Sequence, residues 1–122
     1  MAEKKDSKTI LKDLRKQIFL IGYRGGMAHL ASCFSCLEIL YALYAGGVLK
    51  IDTTNPAWEE RDRFILSKGH AGLALYAMLV HKDLMTEVEF ASYLQEGGII
   101  GGEPCLRDSK WIEATTGSLG HG

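Results

Sequence analysis

Four residues, Arg63 to Leu66, read as a short strand, and the chain turns immediately after them. Ser67 ends the apolar run, Lys68-Gly69-His70 form a turn, and from Ala71 to about Lys82 apolar residues recur at helical spacing. One strand among several helical stretches points to an α/β architecture, with the other strands of its sheet lying past residue 122. A glycine and a histidine at the mouth of a helix suit a phosphate-bearing ligand. The glycine admits a close backbone approach, the helix start offers unpaired N–H groups, and Lys68 and His70 add charge and donors. A lone histidine in a turn is also an ordinary structural feature, so this pattern alone leaves both readings open.

Three further stretches sharpen the choice. His29 to Tyr44 reads His-Leu-Ala-Ser-Cys-Phe-Ser-Cys-Leu-Glu-Ile-Leu-Tyr-Ala-Leu-Tyr; Asn55 to Trp58 reads Asn-Pro-Ala-Trp; Thr116 to Gly122 reads Thr-Gly-Ser-Leu-Gly-His-Gly. With Arg61 to Tyr76, these resemble, in order, four motifs of the transketolase family. They are G-H-x-G with its following E-I-L-x-x-L-Y helix, the N-P-x-W approach, the R-D-R-F-(I/V)-L-S-K-G-H segment and T-G-S-L-G-Q-G. The similarity runs from about Leu14 to the last residue and is greatest to the N-terminal subunit of split transketolases.

The resemblance implies the front part of a parallel-sheet, thiamine-diphosphate-binding domain, incomplete over residues 8–122 behind a loose tail, residues 1–7. It implies transfer of a two-carbon ketol unit from a ketose donor to an aldose acceptor. It also implies a C-terminal transketolase subunit or second half as partner, a homodimer or heterotetramer when complete, and sugar substrates. Separately, three cysteines and an N-terminus without an apolar signal core fit a cytoplasmic location. By carry-over, His29 and His70 are catalytic, His70, Gly117, Ser118 and Leu119 contact the cofactor, and His29 and Glu103 face substrate. In the family a later G-D-G…N segment supplies the Mg²⁺ ligands, and no Gly-Asp-Gly occurs in these residues. The 122 residues are therefore expected to be a fragment or truncation, inactive alone. The alternative is a non-catalytic remnant that only binds a partner.

The sequence departs from the family at several positions. Ala28, Leu30, Ala31 and Ser32 surround His29 where the family has glycines, and Gly102-Glu103-Pro104 stands where it has G-H-P. A carboxylate at Glu103 accepts hydrogen bonds from sugar hydroxyls but repels a phosphorylated substrate. His121 replaces a glutamine, a conservative change. His81 has no motif partner and reads as a surface residue at a helix end.

Composition agrees with a globular chain. Apolar residues make up 47% and the net charge is −1, which argues against disorder and against a nucleic-acid surface. No apolar run approaches the roughly 18 residues of a membrane span. Cys33 and Cys36 form C-x-x-C, but four closely spaced zinc ligands are absent and a loop, not a strand, precedes the pair. They read as buried structural thiols.

The remaining pattern is helical. Ser7 is the expected cap of a helix over 8–23 with Ile10, Leu14, Ile18 and Ile21 as its apolar stripe, ended by Gly22, Gly25 and Gly26. A flexible loop carrying His29 follows, then a helix over 35–45, apolar on all sides and so expected to be buried. Thr86 and Glu89 form a capping box for a helix reaching Leu94 or Gln95.

Overall fold

The computed structural model describes residues 4–26 and 29–117. Helix α1 spans Ser7–Gly25, α2 Leu30–Tyr44, α3 Gly72–His81 and α4 Glu87–Ala91, with a 3₁₀ turn, Gly69–Ala71, leading into α3. Helices α1, α2 and α3 touch one another, and α4 packs on α3. Every residue from Gly72 to Leu79 is buried, so α3 is the axle of the core. None of the described helices is long and apolar enough to cross a membrane.

The stripe on α1 faces this core as expected: Leu14 and Ile18 are buried, and Ile10 and Ile21 pack against the cluster from its edge. The cap is Asp6 rather than Ser7. Its Oδ1 accepts from the Thr9 backbone N–H at 2.8 Å, and the Thr9 side chain together with that N–H holds the carboxyl below its ordinary pKa. Gly22 lies inside the helix, which ends instead at Gly25 with Gly26 in the left-handed region at φ 73°.

Helix α2 begins at Leu30, five positions earlier than its apolar run suggests. Leu30, Ala31 and Ser32 tolerate helical geometry where glycines would not favour it. His29 thus stands at the N-cap position of α2 rather than in a flexible loop. The helix buries Cys33, Leu37, Leu40 and Tyr44, while Ile39 on the other side is 60% exposed, so it is not buried all round.

The expected strand at Arg63–Leu66 does not form. Among the described residues there is no strand, and the single backbone bridge joins Lys68 to Gly117 in parallel. A strand exists only with a neighbour to share its hydrogen bonds, and no described segment lies alongside 63–66 to provide one. The parallel sheet is therefore not seen.

Thr86 and Glu89 form the expected capping box, each accepting from the other's backbone N–H. The helix stops at Ala91 because Ser92 Oγ donates to the Glu89 carbonyl at 2.6 Å, occupying the acceptor a longer helix would need. Thr86→Ala is expected to cost about 1 kcal/mol, read as a lower urea midpoint with unchanged slope.

Candidate functional site

The turn after residue 66 and the segment at 116–117 meet backbone to backbone. Gly69 N–H donates to the Gly117 carbonyl at 3.2 Å, and a Cβ on Gly69 would lie 2.3 Å from Gly117 N and 2.6 Å from Gly117 Cα. Only glycine fits there, and what it admits is the chain itself rather than a ligand. The N–H groups expected to cradle a phosphate at this turn are already used: Ala71 N–H donates to the Lys68 carbonyl, and Gly72 N–H to the Gly69 carbonyl.

The Gly102-Glu103-Pro104 loop is fastened to the same place by three contacts. Tyr76 OH donates to the Gly101 carbonyl at 3.1 Å, and Thr116 N–H donates to the Pro104 carbonyl at 3.1 Å. Pro104 packs on Gly72 so closely that a Cβ there would meet Pro104 Cδ at 2.7 Å. Burial pushes the Tyr76 hydroxyl far up, so it stays protonated and remains a donor. The Glu103 carboxylate lies over Gly117, with Oε2 2.9 Å from where a Cβ would be.

His29, from the start of α2, sets its ring edge-on to that of His70, centroids 5.4 Å apart. Lys68 supplies the frame: its ammonium donates to the Ser32 carbonyl and to Ser35 Oγ, each at 2.8 Å. The sequence offered this lysine as ligand charge, whereas the structure turns it onto α2. Two polar atoms in this neighbourhood, His70 Nδ1 and Thr116 Oγ1, are buried with no hydrogen-bond partner among the described residues. Buried polar atoms in folded proteins are nearly always paired, so these two stand out. His29, His70, Glu103 and Gly117 are thus brought together; Ser118, Leu119 and His121 lie outside the described residues. Thr116 was not singled out from the sequence, and only its place beside Gly117 could have drawn attention to it.

A second cluster steadies the approach to the turn. Arg61, 7% exposed, pairs with Glu113 at 2.7 Å, donates to the Pro56 carbonyl at 2.7 Å and stacks over Trp111 at 4.9 Å. Beside it, burial pushes the Tyr44 hydroxyl up to about 12. A cleft of about 460 Å³ opens nearby, lined by residues including Pro56, Ile112 and Glu113, and holds none of the motif histidines.

The cysteines are free thiols. Burial pushes both Cys33 and Cys36 up. Cys33 is a core thiol as expected, whereas Cys36 is only half-buried at the edge of the core. Cys105 moves the other way, drawn down by hydrogen bonds from the Arg107 backbone and side chain and from Thr115. His81 ends α3 and is exposed, as expected.

Residues 23–122 match the family described as transketolase, thiamine diphosphate binding domain. The chain belongs to this family. It is 44% identical over 98 residues to the 6-deoxy-6-sulfo-D-fructose transketolase subunit SqwG of Clostridium sp. (strain MSTE9), covering 80% of this chain and 35% of that protein. It is 35% identical over 108 residues to one of the subunits of the apulose-4-phosphate transketolase of Phocaeicola vulgatus, covering 88% and 38%. Against the transketolase of Treponema pallidum the identity is 39% over 100 residues, covering 81% and 15%. The chain thus spans little more than a third of the two subunits and less of the Treponema pallidum protein.

Proposed function

We propose that this chain forms one side of a thiamine-diphosphate-dependent site that transfers a two-carbon ketol unit from a ketose to an aldose, together with a complementary C-terminal subunit or second half. The observation that carries this reading is the meeting of His29, His70, Glu103 and Gly117 around two buried polar atoms that have no partner among the described residues. These residues fit the cofactor in part. His70 and Thr116 supply polar contacts, and Gly117 presents backbone without a side chain.

Thiamine diphosphate, when bound, supplies the electron sink for breaking and making the carbon–carbon bond. His29 and His70 then grip sugar hydroxyls, since an imidazole both donates and accepts near neutral pH. From the resemblance, we assign the Mg²⁺ ligands to the family's G-D-G…N segment, which these residues do not contain. Two of the relatives are named as subunits, and Phe19, Leu20 and Tyr23 of α1 leave apolar surface for a partner.

Those same two relatives are named for anionic sugars, one sulfonated and one phosphorylated. Glu103 adds a negative charge to the site here, and a like charge at 4 Å costs about 1 kcal/mol in water and about 4 kcal/mol at a protein surface. The donor taken by this chain is therefore less anionic where it meets Glu103. The test is ketol transfer by the assembled enzyme, with and without added thiamine diphosphate, from phosphorylated and unphosphorylated ketoses. Glu103→His is expected to raise turnover of the phosphorylated donor about tenfold, the factor carried by 1.4 kcal/mol. No rise would end the specificity claim. No cofactor-dependent transfer from any ketose would end the catalytic reading. The 122 residues alone are expected to be inactive.

A further inference from the structure

The contact between His29 and His70 joins segments far apart in the chain, and something must hold it. His70 belongs to the turn before α3. His29 is tied to the first turn of α2, because Cys33 N–H donates to the His29 carbonyl at 2.9 Å. Whatever fixes that first turn relative to Ser67–His70 fixes the two rings.

Lys68 does so. Its ammonium reaches the Ser32 carbonyl and Ser35 Oγ, and Ser35 Oγ–H itself donates to the Ser32 carbonyl at 3.0 Å, closing a triangle of polar contacts. Its backbone meanwhile bridges to Gly117. Lys68 thereby links three segments, each of which carries one of the site residues.

Electrostatics does not account for this placement. The start of a helix carries positive partial charge, so an ammonium there is disfavoured, and both acceptors are neutral oxygens. What the position gains is geometry: a single flexible stem reaching across a gap to two acceptors at once. We propose that Lys68 is a positioning residue that sets the spacing and edge-on orientation of the His29–His70 pair. Its effect on turnover rests on the reading above, in which that pair contacts sugar oxygens; its effect on the rings does not.

Lys68→Met keeps the stem and removes the donor. In the assembled enzyme we expect kcat/KM for a ketose donor to fall about 100-fold, the scale of a misplacement near 1 Å, with KM little changed. A crystal structure of that variant assembly should show the ring centroids moved apart from 5.4 Å. Ser35→Ala should act in the same direction by a smaller factor, because it removes one of the two Lys68 contacts, and should add little on top of Lys68→Met, in which that contact is already lost.

Unchanged kcat/KM and unchanged rings in Lys68→Met would overturn the proposal. Lost activity with the rings in place would also overturn it, by making Lys68 a direct ligand contact. If Lys68→Met does not fold, Ser35→Ala decides: displaced rings support the proposal and undisturbed rings overturn it. If wild type transfers nothing from any ketose, the catalytic reading falls, while the ring separation still decides the role of Lys68.

Discussion

Gly69→Ala is expected to lose about 3 kcal/mol of stability or more and to abolish cofactor binding. The added methyl would sit 2.3 Å from Gly117 N and 2.6 Å from the Thr116 carbonyl carbon. Those are backbone atoms, so no rotamer change relieves the clash, and the two segments must separate. Overpacking usually costs about 1–3 kcal/mol where side chains can yield, and here none can. Separation also breaks the Gly69–Gly117 hydrogen bond and carries Thr116 away from His70. Gly97→Ala is the matched control. Gly97 has φ 72° with open space around it, so an alanine there costs about 1–2 kcal/mol in backbone strain and leaves binding intact. Urea unfolding and calorimetric titration of both variants, assembled with their partner, separate the two effects. Equal binding losses in both would refute the contact argument.

The second large effect is expected at Arg61→Met, at about 3–5 kcal/mol. The Arg61 and Glu113 side chains are 5% and 14% exposed, so removing the cation strands a buried carboxylate. The Pro56 carbonyl loses its donor, and Trp111 loses the guanidinium over its ring. Adding Glu113→Gln should recover part of the loss, because the stranded charge, rather than the missing attraction, carries most of the cost. The readout is the urea midpoint of the single and double variants. A double variant as unstable as Arg61→Met would show that Arg61 acts through packing and its carbonyl contact alone.

What could be read in the sequence was what depends on near neighbours. The stripe from Ile10 to Ile21 and the Thr86–Glu89 box are set by residues three or four apart, and both stand in the structure. The capping choice of Asp6 over Ser7 was also local, but two adjacent residues compete for it and the carboxylate prevails. The strand at 63–66 failed for the opposite reason, since its existence depends on a partner that its own residues do not specify.

The candidate site was legible as a set of motifs and not as a geometry. Nothing in Ser67-Lys68-Gly69-His70 says that Gly69 makes room for Gly117 rather than for a phosphate. Nothing says that Lys68 turns back to Ser32 and Ser35. Likewise Arg61 could be quoted from its motif, but its partner Glu113 sits in a loop with no motif of its own. Helix α2 began early because the residues after His29 lack the family's glycines, a departure visible in the sequence whose consequence was not.

The most direct test of the account is a titration of thiamine diphosphate with Mg²⁺ into this chain assembled with its complementary second half, alongside Gly69→Ala. The account predicts saturable binding, one cofactor per chain, in wild type and none in the variant. Absence of binding in wild type, or undiminished binding in Gly69→Ala, would contradict the claim that the meeting of the Gly69 turn with Gly117 builds the cofactor site.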